Sequence, residues 1–256
     1  MRLTPTMIAA PLTALALAIS ALSAPAQAQG KAAAMTDAQK QAVEQIVREY
    51  LTQNPEVVVD AIKVYRERQE KAEEARNQAA LQTHRAKLFD DASTPIGGNP
   101  KGDVTIVEFF DYRCGYCKRA FPSVQELLKS DGNIRYVYKE LPILGEQSMF
   151  ASRAALAGFR ADPKKYEAFR GAMMSAQGAL TEERVLRLAK ESGYDPAALK
   201  KGMAAPEVQA MISENYKLAE NLGITGTPAF VIGDQLVPGA VSVDTMRELV
   251  AKARKG

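Results

Sequence analysis

Two cysteines that follow a strongly apolar segment constrain the fold more than any other feature of this sequence. Residues 104–110 (VTIVEFF) have the pattern of a buried strand, and a short turn at 111–113 connects them to Cys114-Gly115-Tyr116-Cys117. A helical pattern starts at the cysteines and continues to residue 130. A strand followed by Cys-x-x-Cys at the start of a helix is typical of proteins that exchange thiols and disulfides.

The remaining patterns predict an α/β fold. A second strand is expected at 134–139, and a hairpin at 229–232 and 235–237. Residues 146–221, between the second strand and the hairpin, have a helical pattern throughout, and an amphipathic helix at 242–255 closes the chain. We therefore predict a sheet that carries the cysteine helix and a long helical insertion.

The position of the two cysteines predicts different roles for them. The amide groups and the dipole at a helix start favour a thiolate, so Cys114 should have a lowered pKa and attack disulfides. Cys117, one turn further into the helix, would be the resolving thiol. Lys118 and Arg119 would strengthen the positive field, unless they are merely solvated on an exposed face.

Other uses of the two cysteines are a structural disulfide, a pair of metal ligands and two inert buried thiols. The chain has only two cysteines and one histidine, His84, so a metal site would need Met or carboxylate ligands. We predict no metal site and no bound cofactor, because exchange between sulfur atoms needs none.

Two further features support thiol chemistry. Glu108 lies in the apolar strand, where a buried carboxylate would have a raised pKa and could exchange a proton with Cys117. A solvent-facing acid is the alternative, because strand alternation leaves its face undecided. Thr227-Pro228 directly precedes the hairpin strand, and a cis bond there would direct the backbone of Thr227 toward an incoming peptide.

The first 28 residues are predicted to be a signal peptide. Arg2 is followed by an uncharged apolar run at 7–22, and Ala26-Gln27-Ala28 offers a cleavage site. An uncleaved membrane anchor is the alternative. Export would place the cysteines in an oxidising compartment, where a thiol pair can rest as a disulfide.

Residues 29–91 are predicted to form a helical stalk. One helix should run from Thr36 to residue 53, and Asn54-Pro55-Glu56 should open a second that continues to about residue 91. Their apolar faces cannot be buried within the pair, which favours self-association, although packing on the main domain is the alternative. A stretch rich in Gly and Pro at 94–102 places the domain boundary nearby, so the catalytic domain is assigned to 92–256.

The charges predict no nucleic-acid partner. The chain carries 33 basic and 30 acidic residues, spread along its length without a basic block.

Three stretches of the catalytic domain resemble the DsbA-type thioredoxin-fold oxidoreductases of the bacterial periplasm: 107–117 (VEFFDYRCGYC), 138–145 (YKELPILG) and 226–230 (GTPAF). The resemblance implies a thioredoxin-like fold from about residue 103 to the end of the chain. By the same resemblance the site residues are the nucleophile Cys114, the resolving Cys117, the buried acid Glu108, the cis-proline Pro228, and Gly115, Tyr116 and Thr227 against the substrate.

The N-terminal helices, with Asn54-Pro55-Glu56-Val57, resemble the suppressor of copper sensitivity protein C branch, whose members can trimerise through such a stalk. This implies a periplasmic homotrimer that acts on misfolded or reduced exported proteins and exchanges electrons with a membrane redox partner. Strict oxidases of the family usually carry Pro-His between the cysteines and Val before the cis-proline.

Gly115-Tyr116 and Thr227 are instead the choices seen in the disulfide isomerases DsbC and DsbG, so the resemblance implies an isomerase. A dithiol oxidase that donates disulfides is the alternative within the same chemistry. A copper-tolerance protein that binds Cu(I) with the reduced thiol pair is the alternative from another class.

Overall fold

The computed structural model describes residues 35–255, so the predicted signal peptide lies outside the described residues. The described residues divide into two compact units, one that ends at Ile62 and one that begins at Lys63. Within residues 35–255, no helix is both long and apolar enough to cross a membrane.

The described part of the first unit is a helix followed by the start of a second one. Helix α1 (Asp37–Gln53) begins with the predicted capping box, in which Thr36 and Gln39 bond each other's backbone amides. Helix α2 (Glu56–Thr83) begins after Asn54 and Pro55, as predicted. No residue of α1 is buried. The exposed large apolar side chains of this unit are Met35, Val43, Ile46, Val47, Tyr50, Val57, Val58, Val59 and Ile62.

The prediction that the second helix continues to about residue 91 is wrong. Helix α2 ends at Thr83, and a short helix α3 (Arg85–Phe89) follows. The break allows Leu88 and Phe89, together with Leu81, to join an apolar cluster on one face of the sheet. Burial of each such side chain contributes roughly 1.5–3 kcal/mol, which a straight, exposed helix would forfeit. The units divide after Ile62, whereas the predicted domain boundary was at 91/92.

A mixed five-stranded sheet forms the centre of the second unit, in the order β1-β3-β2-β4-β5. Strand β2 is parallel to β3, while β4 is antiparallel to β2. Strand β1 lies in the Gly- and Pro-rich stretch at 94–102, where no strand was predicted, and it pairs antiparallel with β3. The strands are β1 (Ile96–Gly98), β2 (Val104–Phe110), β3 (Ile134–Glu140), β4 (Ala229–Ile232) and β5 (Gln235–Pro238).

Helix α4 (Gly115–Ser130) follows β2, and a helical insertion fills the chain between β3 and β4, as predicted. The insertion contains α5 (Glu146–Ala161), a 3-10 turn (Pro163–Lys165), α6 (Tyr166–Ser175), α7 (Glu182–Glu191), α8 (Pro196–Gly202) and α9 (Pro206–Asn221). Helix α10 (Val243–Ala253) is the last helix of the described chain and packs against α4.

The side chains of β2 pack alternately into two separate apolar cores, one on each face of the sheet. Ile106 and Phe110 pack with α4 and with α5, α6 and α7 of the insertion, whereas Val107 and Phe109 pack with α3 and with α9, the last helix of the insertion. Since successive side chains of a strand point to opposite faces, Glu108 points to the same side as Ile106 and Phe110. The strand alternation therefore aims Glu108 toward α4, which begins at the cysteine pair.

Candidate active site

The turn between β2 and α4 places Cys114 at the N-cap of the helix. The Asp111 carboxylate accepts a hydrogen bond from the Arg113 amide at 2.7 Å, and the Cys114 amide donates to the Asp111 carbonyl at 3.1 Å. The Cys114 sulfur in turn accepts from the Cys117 amide at 3.4 Å. A sulfur at this position faces amides that have no partner within the helix, which is the environment that stabilises a thiolate.

Hydrogen bonds lower the pKa of Cys114 from its ordinary 9.0 to about 5. The hydrogen bond from the Cys117 side chain is the largest cause, and Thr227 and the amides of Cys117 and Tyr116 add to it, while burial opposes the shift. As a thiol, Cys114 donates to the Thr227 carbonyl at 3.1 Å. The lowered pKa agrees with the prediction made from the helix start.

Cys117 lies one turn further along α4 and is fully buried. Burial raises its pKa far above 9.0, and its hydrogen bond to Cys114 and the charge of Glu108 act in the same direction. Both cysteines are free thiols in the structure. The pair is therefore asymmetric, with a nucleophilic sulfur near the surface and a protonated sulfur beneath it.

Glu108 is buried, as predicted, and forms an ion pair that the sequence analysis missed. One carboxylate oxygen, Oε2, accepts from Arg170 at 2.7 Å and from the Tyr136 hydroxyl at 3.0 Å. The other oxygen, Oε1, has no partner among the described residues. Burial raises the pKa of Glu108, while Arg170 and Tyr136 oppose the shift. The solvent-facing alternative for this acid is excluded.

Arg170 comes from α6 of the helical insertion and is 2% exposed. Its guanidinium lies over three aromatic rings, 4.1 Å from Tyr138, 4.7 Å from Phe110 and 5.3 Å from Phe121. The sequence contained a pattern that indicates burial of this arginine. Tyr166, Phe169, Arg170 and Met173 stand at i, i+3, i+4 and i+7, so the arginine occupies a core position of the apolar stripe of α6.

A second buried carboxylate, Glu140, connects the cysteine turn to the insertion. Its Oε1 accepts hydrogen bonds from the Tyr112 hydroxyl at 2.8 Å and the Tyr166 hydroxyl at 3.0 Å. Burial raises the pKa of Glu140 to about 7. Because Tyr112 lies in the cysteine turn and Tyr166 in α6, one carboxylate fixes both elements.

The other predicted site residues also lie beside Cys114. The Thr227-Pro228 bond is cis, as predicted, and the Thr227 carbonyl contacts Cys114. Gly115 and Tyr116 form the first turn of α4, and Tyr116 is 61% exposed. The exposed ring beside Cys114 can contact an incoming peptide.

In the described part of the chain, no three side chains among His, Cys, Asp and Glu are arranged to hold a metal ion. His84 lies at the start of α3, apart from the cysteines in sequence, and lines a cavity with Lys87, Asp91 and Lys139.

Known proteins share both parts of this architecture. Residues 105–251 match the family model of the DSBA-like thioredoxin domain, and residues 39–72 match that of the N-terminal domain of copper resistance protein ScsC. The thioredoxin-like α/β fold with an N-terminal helical region is thereby confirmed.

Two solved structures are close relatives. A thioredoxin-like oxidoreductase from Silicibacter pomeroyi is 51% identical with a TM-score of 0.65, over 67% of this chain and 98% of that one. A linker-deletion mutant of Proteus mirabilis ScsC is 31% identical with a TM-score of 0.67, over 87% of this chain and 98% of that one.

Curated relatives include disulfide bond formation protein D of Bacillus subtilis, 24% identical over 63% of this chain and 78% of its own length. The first curated matches are Na(+)/H(+) antiporters of Salinispora species, of whose length this chain spans only about a quarter. The family assignment rests on the catalytic fold and on the N-terminal helices together. The chain belongs to the DsbA-like family of thiol–disulfide oxidoreductases and carries a ScsC N-terminal domain ahead of its thioredoxin-like domain.

Proposed function

We propose that this protein is an exported, periplasmic disulfide isomerase in which Cys114 attacks substrate disulfides and Cys117 releases them. The observation that carries the proposal is Cys114 at the N-cap of α4 with a pKa of about 5. At pH 7 a thiol with that pKa is about 99% thiolate, which is the form that attacks sulfur.

The reaction conserves electrons within the sulfur atoms. The Cys114 thiolate attacks one sulfur of a client disulfide, a Cys114–client disulfide forms, and the second client sulfur leaves as a thiolate. A different cysteine of the client, as its thiolate, then attacks the client sulfur of the mixed disulfide, a new client disulfide forms, and Cys114 leaves as a thiolate. The client ends with rearranged bonds and the protein unchanged, so no bound cofactor is needed.

Cys117 provides an escape when no client thiol arrives. Its sulfur attacks Cys114, the Cys114–Cys117 disulfide forms, and the client leaves with a free thiolate. Cys117 must lose its proton for this step, and burial keeps the proton in place at neutral pH. Glu108, whose charge raises the pKa of Cys117 and whose Oε1 is unpaired in the described chain, is the proposed proton acceptor.

Self-association is proposed to unite several such sites around one client, with a second and third copy of this chain as partners. The support is the row of exposed apolar side chains on α1 and the start of α2, which water would otherwise cover. Val43, Ile46, Val47 and Tyr50 recur at helical spacing, so they form one stripe. We propose a trimer because the N-terminal helices resemble the ScsC branch, to whose N-terminal domain residues 39–72 are similar.

The test of assembly uses a charged substitution in the stripe. Ile46→Asp should convert an oligomer into a monomer, because each subunit would have to bury a carboxylate in the interface. Light scattering measures the change in mass. Gln41→Asp, on the opposite side of α1, adds the same charge and should leave the oligomer intact. A wild-type monomer at micromolar concentration would refute the assembly.

The direction of exchange is tested with two client preparations. Catalytic amounts of reduced protein should restore activity to ribonuclease with scrambled disulfides, and the monomeric Ile46→Asp variant should do so several-fold more slowly. Oxidised protein that oxidises reduced ribonuclease rapidly, combined with no gain on the scrambled form, would identify a dithiol oxidase instead. The redox state of the pair in cells, trapped with acid and a thiol-alkylating mass tag, should be mainly reduced for an isomerase.

Cu(I) binding is a second candidate, favoured by the ScsC N-terminal match and by the two free thiols at one helix start. Titration of reduced protein with Cu(I) against a competing chelator, with Cys114→Ser/Cys117→Ser as control, decides it. Equal copper retention by the two proteins would remove the candidate.

A further inference from the structure

Three basic residues lie within five positions of Cys114 in the chain, Arg113, Lys118 and Arg119, and the charge of a fourth, Arg184, acts on Lys118. None of them forms an ion pair with a carboxylate in the described residues. Lys118 instead donates to the Ala176 carbonyl at 2.5 Å, and Arg184 to the Ala179 carbonyl at 3.3 Å. The positive charges of these four side chains are therefore not taken up in ion pairs with acidic side chains.

Arg119 is held over the surface beside Cys114. Its guanidinium lies 4.1 Å from the centroid of the exposed Tyr116 ring, and a Cβ built on Gly115 would lie 3.7 Å from its Nη1. The side chain thus turns back over the residue that directly follows Cys114. Stacking on the ring leaves the edges of the guanidinium free to donate hydrogen bonds.

Arg113 directly precedes Cys114, and its side chain is held by the loop before α5. Its Nη1 donates to the Leu144 carbonyl at 2.5 Å, and the Leu144 amide donates to the Asp111 carboxylate at 3.0 Å. Leu144 is 43% exposed, so the contact is at the surface. Arg113 and Arg119 are therefore both exposed, and each is held by a contact with a neighbouring residue.

The acidic groups around these arginines leave their charge available. Asp111 is buried and accepts from the amides of Arg113 and Leu144 and from the Ser148 hydroxyl. Glu108 is buried and paired with Arg170. Glu146, an exposed acid at the start of α5, pairs with no basic group in the described residues.

We propose that Arg113 and Arg119 bind an acidic side chain of the client next to its reacting cysteine, so that the enzyme prefers disulfides in acidic segments. This inference rests on the proposed attack by Cys114. Arginine donates paired N–H groups in the geometry of a carboxylate, and a thiolate nucleophile would otherwise repel a negative client. The Tyr116 ring beside Arg119 supplies an apolar surface for the rest of the segment.

The experiment compares three peptides that share a sequence and carry one cysteine as a disulfide with 2-mercaptoethanol. Its two neighbours are both Glu, both Gln or both Lys. Second-order rate constants for the attack by the reduced full-length protein are measured at pH 7 in low salt. Each rate is divided by that of dithiothreitol on the same peptide, which removes the intrinsic reactivity of the disulfide.

The Glu peptide should react about tenfold faster than the Lys peptide, since each exposed charge pair contributes up to about 1 kcal/mol, or about fivefold. At 1 M salt the ratio should fall below about twofold, because exposed charges are then screened. The variant Arg113→Gln/Arg119→Gln should show the same low ratio in low salt. Arg160→Gln, near the other end of α5 and about 20 Å from its start, is the matched control and should keep the tenfold ratio.

Two results overturn the inference: equal normalised rates for the three peptides in low salt, or a preference that the double variant retains. Reduction of bis(2-hydroxyethyl) disulfide, which is neutral, is measured as well. It shows whether Cys114 attacks disulfides at all, so that a wrong inference can be told from a wrong proposed function. If the wild-type protein reduces this compound while the peptide rates are equal, Cys114 attacks disulfides but does not select acidic ones. If neither reaction occurs, the proposed attack itself is wrong.

Discussion

The pKa of Cys114 has a consequence for stability that can be measured without a client. Folding lowers this pKa from 9.0 to about 5, so between these values the folded protein binds fewer protons than the unfolded chain. The stabilisation is fully present above pH 9 and is lost as the pH falls through 5. Cys114 has 6% of its surface exposed but lies at the edge of the core, so solvent screening makes the free energies below upper limits.

The magnitude follows from the shift at about 1.36 kcal/mol for each unit of pKa. At pH 7.5 the thiolate should stabilise the reduced fold by about 3.4 kcal/mol, and at pH 5.5 by about 0.8 kcal/mol. Cys114→Ser has no thiolate to stabilise. The difference in unfolding free energy between wild type and Cys114→Ser should therefore grow by about 2.5 kcal/mol between these two pH values.

Urea unfolding of both proteins in a phosphine reductant, at pH 5.5 and 7.5, measures this difference. All other titrating groups are shared by the two proteins, so most of their pH dependence cancels. Thiolate absorbance at 240 nm in the same samples should show a transition near pH 5 that is absent from the variant. A stability difference that changes by less than about 0.5 kcal/mol would refute the stabilised thiolate.

Three more outcomes are expected. Cys117→Ser should accumulate client mixed disulfides on non-reducing gels, because the escape reaction is lost; free release would contradict its resolving role. Arg170→Met should lower the unfolding free energy by about 3–5 kcal/mol by leaving Glu108 buried without its counterion, and adding Glu108→Met should recover much of the loss. Gly158→Ala should cost about 1–3 kcal/mol, since its Cβ would lie 2.9 Å from a tyrosine ring, whereas Gly171→Ala, with 3.6 Å to its nearest side chain, should be neutral or stabilising. Equal urea midpoints for the two glycine variants would contradict this reasoning.

Local patterns in the sequence predicted most of the sheet and the position of the cysteines. Strands β2 and β4 have the bounds expected from their apolar runs, and the insertion begins and ends at residues 146 and 221 as predicted. These features depend on neighbours in the chain, such as the period of apolar residues and the turn-forming residues around them. The same holds for the N-cap position of Cys114.

Features that depend on distant partners were not predicted. Strand β1 exists because Gly97 and its neighbours pair with β3, although the local sequence reads as a turn-rich linker. Helix α2 ends at Thr83 because Leu88 is buried against strands far along the chain. Arg170 is 62 residues from Glu108, and the aromatic stripe around it signals only that the position is buried.

The pairing of Glu108 with Arg170 makes two distant parts of the chain depend on each other. The acid beneath the cysteines belongs to the sheet, whereas its only ion-pair partner among the described residues belongs to the inserted helices. A designer who grafts the cysteine helix and its strand onto a plain thioredoxin scaffold would therefore transfer a buried charge without its counterion. Such a chimera should lose stability as Arg170→Met does, and a neutral residue at that strand position would restore the stability but remove the proposed acceptor for the Cys117 proton.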